Sequence, residues 1–270
     1  MLHRVCAFCA IVVLLAFASP ARSAVPLQPT GPWTVDFAET QCTASRNYGT
    51  EQKPLYLVLK RSVLDGATQL LIIQVGSIAV ATQHEVVLSG GAGTPVRVRA
   101  LDYTADKFKR RVRPMTLSAA QMGWLASAPR LDVTSHMFAD QYFALKQVPA
   151  IYAKLGECVA NLVDYWNLSP EGGARLARRA AGNLLALFAD EDYPAQALVE
   201  NNTGKVAVRL LVDPSGKVAD CSIRETSGSA ALDIQTCAVI SKRAMFTPAV
   251  GLDGKASRDG YDQNVNWRIP

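Results

Sequence analysis

The chain changes its hydrophobic rhythm twice. From residue 33 to about residue 99, apolar positions come in short runs or alternate with polar ones, in "WTVDFA", "PLYLVLKR", "TQLLIIQVG", "HEVVLS" and "TPVRVRAL". Turn residues separate them at Tyr48-Gly49, Asp65-Gly66 and Gly90-Gly91-Ala92-Gly93. Period-two runs between turns predict strands, and several in succession predict a sandwich or a small barrel. The period then lengthens. "TLSAAQMGWLASA" reads as a short helix behind Ser118 as N-cap. "RLDVTSHMF" and "QYFALK" read as strands. Residues 148–167 form an amphipathic helix, with Ile151, Leu155, Cys158, Leu162 and Tyr165 recurring every third or fourth position.

A third texture follows. Ser169-Pro170 has the form of a helix start, since Pro suits the first helical position, and residues 170–189 read as a linker helix with Arg175, Arg178 and Arg179 on a solvated face. Residues 193–270 begin with a short helical turn. Next comes a hairpin around Asp213-Pro214-Ser215-Gly216, where Pro presets one turn position and Gly permits a positive φ. The helix after it has Ser229 near its N-cap and Asp233 in its first turn. Lys242 and Arg243 stand at its end, so both termini complement the macrodipole. "YDQNVNWRI" reads as the last strand, with Val265, Trp267 and Ile269 on one face. The whole is α+β. The expected order is a β-rich domain over 30–167 with a closing helix, a linker helix over 168–192, and over 193–270 an antiparallel sheet packed with a helix.

Composition adds the compartment. The 270 residues are 49% hydrophobic and 19% charged, which suits two modest globular domains. Residues 1–23 have a short basic start, an apolar run and a small-residue exit, the anatomy of a cleavable signal peptide that would deliver the chain to the periplasm. The run over 5–18 is shorter than the about 20 apolar residues of a membrane span, so an uncleaved inner-membrane anchor is the lesser alternative. Basic residues number 28 against 23 acidic, and Arg4 and Arg22 leave with the signal. This balance makes no argument for nucleic acid. Cys42, Cys158, Cys221 and Cys237 remain, an even number that favours disulfides in an exported chain. Three pairings are open. Cys158 lies on the apolar stripe of its helix, facing a core in which Cys42 is the other local cysteine, so the layout favours Cys42–Cys158 and Cys221–Cys237.

Candidate chemistry is sparse. Cys221 and Cys237 lack the further ligands of a structural zinc site, and no Cys-x-x-Cys lies outside residues 1–23. His84 and His136 stand alone in strand contexts. "DPSGK" lacks phosphate-loop spacing, and "DED" at 190–192 reads as a solvated boundary. No nucleophile, base and orienting group assemble, so the expectation is a protein that is no enzyme and takes neither cofactor nor metal. "DKFKRRVRP" is the sharpest charge feature, with Lys107, Lys109, Arg110, Arg111 and Arg113 within seven positions. As a strand it would line one face with Lys107, Lys109, Arg111 and Arg113. That face suits an anionic envelope polymer or lipid headgroups. The favoured alternative is a solvated edge strand whose charges block aggregation.

Residues 193–269 resemble the TonB C-terminal domain. The matching elements are Tyr193-Pro194, Gly204-Lys205-Val206, Asp213-x-x-Gly216-x-Val218, Thr226-Ser227-Gly228, Leu232-Asp233, and Arg243 with Phe246-x-Pro248-Ala249, in order. The resemblance implies a role in transport across the outer membrane, with a TonB-dependent receptor or another envelope protein as partner. An extended receptor segment would add a strand to the last sheet edge. That edge is Gln263, Asn264, Val265, Asn266, Trp267 and Arg268, with Tyr193 and Pro194 nearby. Asn264, Asn266 and Arg268 would be exposed while Trp267 anchors the strand. Where a full transducer has a membrane anchor and a Pro-rich spacer, this sequence is expected to have a cleavable signal and a folded domain. The alternative is therefore a structural envelope protein that pairs with itself as a homodimer, or binds anionic polymer through its basic stretch, without energy transduction.

Overall fold

The computed structural model describes residues 25–61, 63, 67–90, 94–105 and 109–270. The expected signal segment, the Asp65-Gly66 turn, most of the turn at 90–93 and Lys107 lie outside the described residues.

Seven strands come first: β1 (Thr34–Phe37), β2 (Cys42–Asn47), β3 (Leu55–Arg61), β4 (Thr68–Val75), β5 (Thr82–Ser89), β6 (Val96–Ala105) and β7 (Arg110–Leu117). Helix α1 (Ala119–Ser127), strands β8 (Arg130–Thr134) and β9 (Gln141–Ala144), and helix α2 (Val148–Tyr165) follow. The strands form one sheet, β1-β2-β3-β4-β7-β6-β5-β8-β9, antiparallel throughout. It curls until its ends meet. Leu27 pairs with Phe143 of β9, and the Thr30 N–H donates to the Asn47 carbonyl on β2 at 2.9 Å. The Tyr48 hydroxyl donates to the Ala144 carbonyl at 2.9 Å. Alternation fills the inside with Leu57, Leu59, Leu70, Ile72, Val86, Leu88, Met115, Leu117 and Phe143.

Register separates the two ends of this curled sheet. Cys42 lies opposite Arg61, Arg61 opposite Thr68, and Thr68 opposite Leu117. The helices cover that end. Helix α1 starts directly after β7 behind a Ser118–Gln121 capping box, which satisfies two orphan helix donors. Helix α2 packs on α1, β1, β2 and β3, and the Cys42–Cys158 disulfide pins it there. At the other end, Val75 lies opposite Arg110 and Arg110 opposite Ala105.

The next segment departs from the expected linker helix. Helix α3 (Pro170–Ala174) stops after one turn, which contains Gly172 and Gly173, residues with little helical propensity. Strand β10 (Leu176–Arg178) follows, then 3-10 turns at Leu185–Leu187 and Asp190–Asp192. All three arginines are exposed, as expected of a solvated face, and two of them also serve as tethers. Arg175 donates to the Asp164 carboxylate at 2.7 Å, and Arg179 to Asp259 at 2.8 Å.

The remaining elements are α4 (Ala195–Val199), β11 (Gly204–Val212), β12 (Val218–Glu225), α5 (Ala230–Arg243), β13 (Ala249–Gly251), β14 (Ala256–Ser257) and β15 (Asp259–Trp267). A three-stranded antiparallel sheet, β12-β11-β15, carries α5 on one face; a small sheet has the order β10-β13-β14. The second core gathers Val206, Val208, Leu210, Val212, Leu232, Ile240, Phe246, Val265 and Trp267. Ile269, expected on the buried face, lies beyond the end of β15 and is exposed. The α2 end touches this sheet from its other side. Leu211 belongs to the first core, Leu168 fills the space beside Gly260, and Asn167 Nδ2 donates to the Arg258 carbonyl at 2.8 Å.

Candidate functional site at the sheet edge

Strand β15 pairs with β11 from Val212↔Asp259 to Gly204↔Trp267 without a register break. Among the described residues β11 is its only strand neighbour, so its other side is an edge. In an antiparallel pair, alternate residues turn both backbone groups to the partner and the intervening ones turn both away. Three contacts assign the parity. The Gly260 N–H donates to its neighbour Asp259 Oδ1 at 2.8 Å, Arg179 Nη2 donates to the Gly260 carbonyl at 3.4 Å, and Gln263 Nε2 donates to the Asn264 carbonyl at 2.7 Å. Even-numbered residues therefore face outward, and Asp259, Tyr261, Gln263, Val265 and Trp267 hold the β11 ladder. Arg179 already occupies the Gly260 end, which leaves Asp262, Asn264 and Asn266 to present backbone donors and acceptors.

The side chains follow the same alternation. Val265 and Trp267 are buried, while Asp262, Asn264, Asn266 and Arg268 are exposed. Trp267 locks the strand: its Nε1–H donates to Thr236 Oγ1 of α5 at 2.8 Å, and Phe188 and Tyr193 each meet its ring edge-on at 5.4 Å. Tyr193 thus lies beside the strand, as expected. It is itself buried, with its hydroxyl donating to the Asn202 carbonyl, so it supports the edge from behind. Pro194 is partly exposed next to it. On the outer face, Arg209 grips Asp262 through two bonds of 2.6 and 2.7 Å, and these hold the Asp262 carboxyl below the usual range.

The residues that carried the resemblance build this support. Asp233 accepts from the Thr226 hydroxyl and from the Ser227 N–H and hydroxyl, tying the loop after β12 to the start of α5. Gly216 has φ +83°, and a Cβ there would stand 2.1 Å from the Phe246 carbonyl oxygen. The close approach lets the Phe246 N–H reach the Gly216 carbonyl at 2.8 Å. Arg243 clasps Asp192 at 2.6 and 2.7 Å, so the "DED" run contributes a buried tether where a solvated boundary was expected. The Cys221–Cys237 disulfide joins β12 to α5, as expected; Ile223, on the same strand, is exposed.

The basic stretch is not the surface the sequence suggested. Strand β7 lies between β4 and β6, away from either edge of the sheet. Lys109 is exposed in a turn at φ +46°, and Arg110 lies over the Tyr56 ring. Arg111 and Arg113 point inward, on the face of Met115 and Leu117, and both bind the buried Asp102. Asp102 was missed because its partners lie on another strand. The inward set it shares with Val98 and Ala100 was the signal that could have placed it.

Residues 190–269 match the family model described as Gram-negative bacterial TonB protein C-terminal. No curated protein and no solved structure matches the chain. The segment that carries the β15 edge, residues 190–269, is thus a TonB-family C-terminal domain, set here behind a curled nine-stranded sheet.

Proposed function

We propose that this is an exported, periplasmic TonB-family protein with a binding role in TonB-dependent transport, and that it docks an extended receptor segment by adding a strand to β15. We take the chain as a cleaved signal over 1–23, a β-rich domain over 30–167, a connecting segment over 168–192 and the TonB-type domain over 193–270. The observation that carries the reading is an open edge whose backbone is presented in fixed register by Val265 and Trp267. Backbone bonding supplies affinity in this mode, and flanking side chains supply selectivity. Among the described residues no helix is long and apolar enough to cross a membrane.

The test is a titration of the exported chain with a peptide carrying the TonB box of an outer-membrane receptor from the same cell. Saturable binding that adds strand signal supports the proposal; a chain that binds none of the cell's receptor segments overturns it. A second reading has its own observation. Between Asp259 and Trp267 the edge carries no Pro, Lys or Arg, the residues that commonly block edge pairing, so two copies could pair β15 with β15. A dimer in sedimentation that peptide does not dissociate would favour that reading.

A further inference from the structure

The inside of the curled sheet changes character at the end away from the helices. Gln74 follows Ile72 on the inward face of β4, His84 precedes Val86 on β5, Asp102 follows Ala100 on β6, and Gln141 precedes Phe143 on β9. Arg111 and Arg113 complete the ring from β7. Arg111 Nε donates to Asp102 Oδ1 at 2.6 Å and Arg113 Nε to Oδ2 at 2.9 Å, while His84 Nε2 stands 3.4 Å from Oδ2. Gln141 Nε2 donates to Gln74 Oε1 at 3.0 Å, a bond that crosses the interior from β9 to β4. Phe138, from the loop between β8 and β9, lies 3.4 Å from the Arg111 guanidinium and 4.7 Å from that of Arg113, and meets His84 edge-on at 5.0 Å.

This cluster is incomplete in charge and in hydrogen bonding. Among the described residues two guanidinium groups face one carboxylate, and burial pushes the His84 imidazole below its usual value despite Asp102, which disfavours a third positive charge there. A buried surplus charge is costly unless it is paired. Arg111 Nη2 is buried without a hydrogen-bond partner among the described residues, and the His84 nitrogens make only loose approaches, to the Thr82 backbone and to Asp102. The His84 side chain is 4% exposed. Arg111 and His84 touch the same Asp102 and the same Phe138 ring, so an acceptor for Arg111 Nη2 would lie beside His84.

We propose that this mouth binds the carboxylate group of a small solute, with Arg111 Nη2 as the donor, His84 beside it and Phe138 as the lid. A single negative charge balances the surplus. A guanidinium matches a planar carboxylate through paired N–H groups. A phosphate dianion would instead bring a second negative charge against Asp102. The mouth of a β-barrel is also a common place for a concave ligand site.

The test uses the exported chain with acetate as probe, and chloride and inorganic phosphate at matched ionic strength. Acetate is expected to raise the thermal midpoint saturably and to shift the His84 imidazole NMR signals, with chloride and phosphate doing neither. Arg111→Gln should weaken acetate binding roughly tenfold or more. Phe138→Ala keeps every donor and should still bind, with faster exchange. It therefore stands as the informative variant should Arg111→Gln fail to fold. The proposal is overturned by an absent acetate response in both wild type and Phe138→Ala, by an equal response to phosphate or chloride, or by unchanged binding in a folded Arg111→Gln.

Discussion

Neighbouring residues of β15 should respond in opposite ways to proline. Asn264 turns its backbone outward and Val265 turns its backbone to Val206 of β11. Asn264→Pro removes an outward N–H and costs the β11–β15 ladder nothing, so the thermal midpoint should hold within a few degrees. An added strand would use the N–H and C=O of Asn264 and of Asn266. Each such bond is worth about 1 kcal/mol net, and a proline ring also crowds the incoming chain. The loss should come to about 1–2 kcal/mol, or roughly five- to thirtyfold in Kd. Val265→Pro removes a ladder donor, leaves its acceptor on β11 buried, and takes a valine out of the core, for about 2–4 kcal/mol of stability. In a domain of this size that lowers the midpoint by roughly 10 °C or more. Fluorescence anisotropy with labelled receptor peptide reads binding, and circular dichroism melts read stability. Equal destabilisation by both prolines would refute the assigned parity. A folded Asn264→Pro that binds peptide like wild type would refute strand addition at this edge.

Three further outcomes follow from the support behind the edge. Hydrogen bonds from Arg243 hold the Asp192 carboxyl below its ordinary value of 3.8, so the tether is complete well above that pH and lost as acid carries the group through its lower folded value; midpoints measured from pH 6 to 2 should fall less steeply in Asp192→Asn. Replacing Cys221 and Cys237 together by Ala should cost about 3 kcal/mol in urea unfolding, the value for a loop of this length. Gly216→Ala should cost about 2–3 kcal/mol, since its φ of +83° strains an L-residue and its Cβ meets the Phe246 carbonyl; a melt unchanged from wild type would contradict the close approach.

Local patterns made the edge legible and long-range partners hid the rest. The alternation of Val265 and Trp267 against Asn264 and Asn266 is visible in four residues, and it placed the strand and its buried face. The Asp213–Gly216 turn and the Cys158 stripe were readable for the same reason. The basic stretch misled because Lys107 to Arg113 looks like one charged face when read alone. Read two steps further, the same parity runs through Met115 and Leu117 into the core, and the neutralising Asp102 comes from β6. The helix expected over 170–189 failed similarly. Its arginines find Asp164 behind them and Asp259 far ahead, and those ties outweigh a helical propensity already weakened by Gly172 and Gly173.

The wedge of Leu168 beside Gly260 has a mechanical meaning. A segment bound along β15 and pulled along its length would load the β11–β15 ladder in shear, so that all nine residue pairs resist together instead of opening one by one. One end of that ladder is Asp259 and Gly260, where Arg179, Asn167 and Leu168 take hold. Tension arriving there passes through the end of α2 and the Cys42–Cys158 bond into the nine-stranded sheet. The first domain would then serve the second as an anchor block, spreading a lengthwise pull over a covalently stapled body.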